Sequence, residues 1–239
     1  MNLHISRDRA RLAALMGGAD LDFAADRVVL PHPLTPGADV FACELDANPL
    51  SDAGVLIDLE APAPRTILWS GQPMDADDPD NWFRRTPATW GEAAQQRFNA
   101  FCAELAPQLQ RAGRRILFRT HARHVLCDPP RCLKMLEQWG GTSDAAAFGI
   151  AFDPVSLLEP DMLPHADDHL DRLFRFLGPV ADALYLGNAH IDDDRVIPAP
   201  LHDGPLDPDR LLALAREHLP PQTPVILGEA ELDAQLARI

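Results

Sequence analysis

Apolar residues along this chain gather into short β-type runs: Asn2–Ser6, Arg27–Leu30, Val40–Leu45, Val55–Leu59, Thr66–Trp69, Arg115–Arg119, Ala147–Asp153, Ala183–Leu186 and Pro224–Leu227. Several are nearly continuous instead of alternating, the pattern of parallel strands covered on both faces. The later runs are separated by segments with helical periodicity. The longest opens at Thr89, where Thr89-Trp90-Gly91-Glu92 has the form of a capping box, and Ala94, Phe98, Phe101, Cys102, Leu105 and Leu109 then form one apolar face. A second helix starts from Asp128 as N-cap with Pro129 in its first turn, carries Leu133, Leu136 and Trp139, and stops at Gly140-Gly141. A third carries Leu170, Leu173, Phe174 and Leu177 and ends at Gly178-Pro179. A fourth opens with Asp207-Pro208 and carries Leu211, Leu212, Ala215 and Leu219.

From Thr66 onward strands and helices alternate, which implies right-handed crossovers and a parallel sheet. The first 65 residues hold four strand-like runs with little room for helices, apart from one around Arg9–Met16. The Asp- and Pro-rich stretch Met74–Asn81 is the one linker-like segment. At 239 residues the chain matches the roughly 250 of an eight-stranded α/β barrel. The expectation is an α/β fold, a TIM (β/α)8-type barrel spanning 1–239 as a single domain, with an abbreviated or irregular N-terminal half.

Charge narrows the function classes. A formal net charge of −15 repels phosphate backbones and anionic membrane surfaces, so neither nucleic acid nor a membrane is expected as a partner. No apolar run approaches the ~18 residues of a membrane span, and Arg7, Asp8 and Arg9 interrupt the N-terminus where a secretory signal needs apolar residues. A cytoplasmic location follows as the expectation, with the four cysteines, Cys43, Cys102, Cys127 and Cys132, reduced and structural.

Motif order adds a resemblance. The stretch T-I-L-W-S-G, an acidic loop, then T-W-G-E-A-A-Q-Q-R-F through R-R-I-L-F-R-T-H (Thr66–His121) is similar to the middle of the xylose isomerase-like sugar epimerase family. F-G-I-A-F-D-P-V-S, A-L-Y-L-G-N, H-D-G-P-L-D and P-V-I-L-G-E resemble successive later motifs of that family, and V-V-L-P-H-P-L (Val28–Leu34) an early His-x-P strand. The resemblance implies a site at the C-terminal ends of the strands, where family members hold a divalent ion with a Glu, an Asp, a His and a second Glu and move a proton between neighbouring sugar carbons. In this chain the first Glu falls at Arg119, the Asp is kept as Asp153, and the His of that strand is Ser156. The next strand's His falls at Tyr185, Asn188 replaces its Asp, and the last Glu falls at Glu229 or, one residue earlier, at Gly228.

The implied metal site is therefore degenerate, and no metal or other cofactor is expected. Asp153 and Glu229 are the acid/base candidates, while Arg119, His121, Tyr185 and Asn188 are the substrate-binding candidates. A fixed guanidinium at Arg119 would hold a carboxylate or enolate oxygen in place of a metal. His121, His124, His190 and His202 lie on the same expected rim and could rebuild a cluster with Asp153, or be solvated loop histidines. His165 and His169 stand at i, i+4 on a helix expected outside the barrel, and Asp192-Asp193-Asp194 reads as a solvated acidic loop. No P-loop, dinucleotide fingerprint or nucleophile elbow is present. Two functions remain: an isomerase- or epimerase-like enzyme acting without metal on a small polyhydroxy or keto-acid substrate, or a non-catalytic barrel serving as a binding or partner subunit in a homo- or hetero-oligomer.

Overall fold

The computed structural model describes residues 1–8, 25–33, 39–51, 57–59, 61, 63–74, 83–140 and 146–239. The expected Arg9–Met16 helix, the first two residues of the Val55–Leu59 strand and most of the Met74–Asn81 linker lie outside these residues; Ile57–Leu59, which are described, are not strand.

Eight strands close a barrel: β1 (Asn2–Asp8), β2 (Arg27–Pro31), β3 (Ala42–Leu45), β4 (Arg65–Trp69), β5 (Arg115–Arg119), β6 (Phe148–Phe152), β7 (Ala183–Tyr185) and β10 (Pro224–Gly228). Their order around the ring is β1-β10-β7-β6-β5-β4-β3-β2. Two further strands, β8 (Asn188–Asp192) and β9 (Arg195–Ala199), form an antiparallel hairpin after β7. The sequence pattern missed this hairpin, because its only cue was the Asp192–Asp194 run that marks the turn, where Asp193 takes a left-handed φ of 52°.

The abbreviated first half has a specific form. β2 runs antiparallel to both neighbours, with Asp8 opposite Arg27 on β1 and Glu44 opposite Arg27 on β3, while the other ring contacts are parallel. Reversal brings Arg27 to the end of the barrel where the other strands terminate. It carries His32 to the opposite end, where its amide donates to Leu3 O. The His-x-P resemblance at Val28–Leu34 therefore contributes nothing to the expected site.

Period-two alternation sorts the strand residues. Val29, Ala42, Ile67, Leu117, Ala151, Ala183 and Ile226 form one buried cluster inside the ring, mixing large and small side chains. The outward neighbours Ile116, Phe118, Phe148, Ile150 and Phe152 pack under the helices. These are α1 (Glu92–Ala112), α2 (Pro129–Trp139), α3 (Ala166–Leu177), α4 (Pro208–His218) and the short α5 (Leu232–Leu236).

Two helix details differ from expectation. Thr89 does not cap α1: a 3-10 turn occupies Pro87–Trp90, Gly91 is the N-cap, and the buried Thr89 hydroxyl turns to Gln72 Oε1 at 3.4 Å. On α2 the Asp128 cap forms, accepting from Arg131 N at 2.9 Å, but Cys132 and Met135 are the buried residues and Leu133 is 36% exposed. The face of α3 buries as expected, and on α4 Leu211, Leu212 and Ala215 do so, joined by Leu214, while the expected Leu219 is the half-buried C-cap.

Candidate active site at the C-terminal ends of the strands

One residue up each strand's inner face from the apolar layer, the side chains become polar. Ala42 leads to Glu44, Ile67 to Trp69, Leu117 to Arg119, Ala151 to Asp153 and Ala183 to Tyr185, each by the two-residue step that keeps a strand residue facing inward. β2, being reversed, supplies Arg27 by the step down from Val29, and β1 supplies Ser6. Ser6, Arg27, Glu44, Arg119, Asp153 and Tyr185 border a cavity of about 320 Å³ whose outer wall is Pro198–Pro200 of the hairpin.

Arg119 is the centre of this layer. Its Nε and Nη2 both donate to Asp153 Oδ2, at 2.9 and 2.6 Å. Its guanidinium carbon lies 4.4 Å from the Trp69 ring centroid and 3.9 Å from that of Tyr185, so two aromatic faces sandwich the cation. Burial works against the charge, but Asp153, Tyr185 and Glu44 outweigh it and hold the Arg119 pKa above its ordinary value.

Asp153 is fully engaged. Oδ1 accepts from Ser156 N at 3.0 Å, Oδ2 accepts from Ser156 Oγ at 2.8 Å as well as from Arg119, and the backbone amide donates to Thr120 Oγ1 at 2.9 Å. A carboxylate so occupied positions the guanidinium and has little capacity left as a mobile base.

Glu44 is the opposite case, and nothing in the motif comparison pointed to it. The residue is 7% exposed, yet Oε1 has no hydrogen-bond partner and Arg27 Nε stands 3.8 Å from Oε2, beyond hydrogen-bond reach. The hydroxyl of Tyr185, beside it, is likewise buried without a partner. Burial first, and then the Glu44 charge, push the Tyr185 pKa well above the ordinary phenol value, Arg119 opposing them, so Tyr185 is a protonated donor. A buried polar atom without a partner costs about 1–3 kcal/mol, and both of these border one cavity.

The remaining candidates fall elsewhere. Glu229 sits between Gly228 and Ala230, which border the cavity, and itself turns to the end of β1: Oε1 accepts from Asp8 N at 3.2 Å and Arg7 stands 3.8 Å from Oε2. His121 packs behind Trp69 in an aromatic cluster with Phe83 and His124, its Nδ1 accepting from Arg123 N at 3.0 Å. Burial, then the neighbouring His124, Arg119, Arg123 and Arg195, hold the His121 pKa well below the usual imidazole range. Asn188 is structural. Its Nδ2 donates to Leu201 O and Leu206 O at 3.1 and 2.8 Å, and Oδ1 accepts from Ala189 N and Leu206 N, both at 2.9 Å. A Cβ at Gly204, whose φ is +152°, would stand 2.4 Å from that oxygen, so glycine is required there.

The rim histidines are not assembled. His121 and His124 share the aromatic cluster, His190 faces Asp203 at 3.3 Å, and His202 faces Glu231 at 2.9 Å. His165 is exposed and His169 borders a groove between α2 and α3, outside the barrel. The hairpin turn is held by Arg123, which is 3% exposed: it grips Glu159 at 3.1 and 2.9 Å, Asp194 Oδ1 at 3.0 Å, and the Asp194 carbonyl. Asp194 is thus a bonded anchor, and the Arg123 hydrogen bond lowers its pKa.

No family model and no curated protein matches the chain. Among solved structures, the probable 3-DHS dehydratase AsbF of Bacillus anthracis, involved in petrobactin synthesis, is similar at 12% identity with a TM-score of 0.52, over 82% of this chain and 73% of that one. The fold is that of a TIM barrel. A xylose isomerase-like TIM barrel protein of Mycobacterium smegmatis, in complex with magnesium, is similar at 16% identity and a TM-score of 0.47, over 69% of this chain and 54% of that one. A xylose isomerase domain protein of Planctomyces limnophilus is similar at 12% identity and a TM-score of 0.45, over 73% of this chain and 55% of its own. The chain spans little more than half the length of these last two.

The donor set that the described residues bring to this barrel does not fit a divalent ion. Such an ion needs converging anionic oxygens or neutral imidazoles. Among the described residues no three His, Cys, Asp or Glu side chains are placed to hold one, and the Asp153 carboxylate is already occupied by a guanidinium. No helix among the described residues is long and apolar enough to cross a membrane.

Proposed function

We propose that this barrel binds a small polyhydroxy or hydroxy-carbonyl compound in the cavity beneath the hairpin and acts on it as a metal-independent, sugar isomerase- or epimerase-like enzyme. One observation carries the proposal: the buried Glu44 carboxylate, whose Oε1 has no hydrogen-bond partner, borders one cavity together with a protonated Tyr185 and the fixed Arg119 guanidinium. Glu44 is the base. It takes the proton from the carbon next to a carbonyl, and the C–H electron pair passes into the carbonyl, making an enolate oxygen. Tyr185 OH and Arg119 donate to that oxygen; Arg119 spends Nε and Nη2 on Asp153 and turns Nη1 to the ligand. Fixed donors aimed at developing charge in a site shielded from water are the largest single source of such stabilisation. Glu44 then delivers that proton to the former carbonyl carbon while the hydroxyl on the first carbon gives its proton to the enolate oxygen, so the carbonyl moves by one carbon and all atoms balance. Asp153 and Ser156 are positioning residues for the guanidinium, and Glu229 and His121 take no part.

A second reading follows from the engagement of Asp153. With that carboxylate occupied, the cavity would bind the same class of ligand without turning it over.

Deuterium wash-in separates the two. Aldoses, ketoses and 2-keto acids are incubated with the protein in D2O and followed by proton NMR. The enzyme reading expects exchange of the proton next to the carbonyl, falling by about 100-fold or more in Glu44→Gln, the usual range for loss of a general base. Saturable binding without exchange supports the second reading. Exchange that survives Glu44→Gln removes the assignment of the base.

A further inference from the structure

The cavity does not end at Glu44. A second cavity of about 340 Å³ shares Arg27, Glu44 and Arg119 with the first. Its outer wall is Asp8, Asp26, Asp46 and Trp69. We infer that this second compartment receives an organic cation, so that the preferred ligand is an amino-substituted polyol, such as an amino sugar, with its hydroxyl or carbonyl end at Arg119 and its ammonium between Glu44 and Asp26 and Asp46. The inference rests on the function proposed above and adds the substrate class.

Charge balance supports it. The compartment's two guanidinium groups are both engaged, Arg119 by Asp153 and Arg27 by the Ser6 hydroxyl at 2.7 Å, the Ser6 carbonyl at 2.9 Å and, more distantly, Glu44 Oε2 at 3.8 Å. On the outer side, Asp26 accepts from Asp46 N at 2.6 Å and Asp46 accepts from Trp69 Nε1 at 3.2 Å; neither forms an ion pair among the described residues. Acidic rims are common on a chain of net charge −15, and by themselves they would say nothing. The independent observation is Glu44, which is more than nine-tenths buried on the wall shared by both cavities and whose Oε1 closes no hydrogen bond, Oε2 having Arg27 Nε at 3.8 Å. A ligand N–H3⁺ supplies donors to this group and charge to the two rim carboxylates.

A metal ion is a poorer occupant than an ammonium. The carboxylates are spread around a compartment of several hundred cubic ångströms and do not converge on one point, and no three of them are placed to ligate an ion. The Trp69 ring on this wall already carries one cation on its face, the Arg119 guanidinium, which shows the wall's compatibility with positive charge.

The test is equilibrium binding of 2-amino-2-deoxyhexoses, the parent hexoses and the matching hexuronates to the whole chain, near neutral pH and low salt. The amine is expected to bind about tenfold tighter than its parent, a few-fold for each partly exposed ion pair, and the uronate more weakly than either. In the rim variant Asp26→Asn/Asp46→Asn the amine preference disappears while hexose binding is kept. Hexose binding with no preference for the amine, or with preference for the uronate, overturns this inference and leaves the proposed function standing. Failure of every hexose class to bind overturns both.

Discussion

Arg119 and Asp153 are joined across adjacent strands by two hydrogen bonds to one oxygen, 2.9 and 2.6 Å long. The pair is buried, with Asp153 at 2% and Arg119 at 17% side-chain exposure. Breaking such a pair from one side leaves a charge uncompensated, at a cost of about 3–5 kcal/mol. Asp153→Asn is expected to lower stability toward the lower end of that range in urea denaturation. The double variant Arg119→Met/Asp153→Val should lose less than the sum of its single changes, since no charge is then left alone.

Glu44 should show the reverse balance. Its Oε1 is buried without a hydrogen bond, so Glu44→Gln is expected to raise stability by about 1 kcal/mol, seen as a higher melting temperature, while suppressing proton exchange. Functional groups held at a cost to stability give this trade-off.

Asn188 should behave as a structural residue. Asn188→Ala leaves the Leu201 and Leu206 carbonyls and the Ala189 and Leu206 amides without partners. A loss of about 3 kcal/mol is expected from these buried groups, and hydrogen exchange should quicken at Ala189 and Leu206 before it does so in the barrel strands.

His121 gives the protein an acid sensitivity of definite sign. Its folded pKa is depressed, first by burial and then by His124, Arg119, Arg123 and Arg195. As pH falls below about 6.5, the ordinary imidazole value, the unfolded chain takes up a proton that the native chain refuses, and stability drops. Melting temperature measured from pH 7 to 5 should fall less steeply in His121→Phe than in the wild type. At neutral pH that variant should start about 1 kcal/mol lower, because Arg123 N loses its acceptor.

What could be read from the chain alone follows a physical divide. β4–β7, β10 and helices α3 and α4 were legible because buried parallel strands are continuous apolar runs and their helices carry Asp-Pro or Gly-Pro punctuation. The direction of β2 was not, since period-two alternation reads the same both ways and the direction decides whether Arg27 or His32 reaches the site. Thr89 had the sequence of a cap, but tertiary packing claimed its hydroxyl. Arg119, Asp153 and Tyr185, which border the cavity, could be singled out because their strand ends fall within recognisable motifs. Glu44 ends a strand outside them; the alternation of Ala42 and Glu44 was the available signal, and it places the carboxylate beside Tyr185.

The central claim is that a guanidinium, held by Asp153, does at this site what a divalent ion would otherwise do. Calorimetric titration of the EDTA-treated protein with Mn²⁺ and Mg²⁺, repeated with Asp153→Asn, tests it most directly. The account predicts no stoichiometric binding in either protein and proton exchange that is unchanged by EDTA. One ion bound per chain in the wild type, lost in Asp153→Asn and required for exchange, would contradict it.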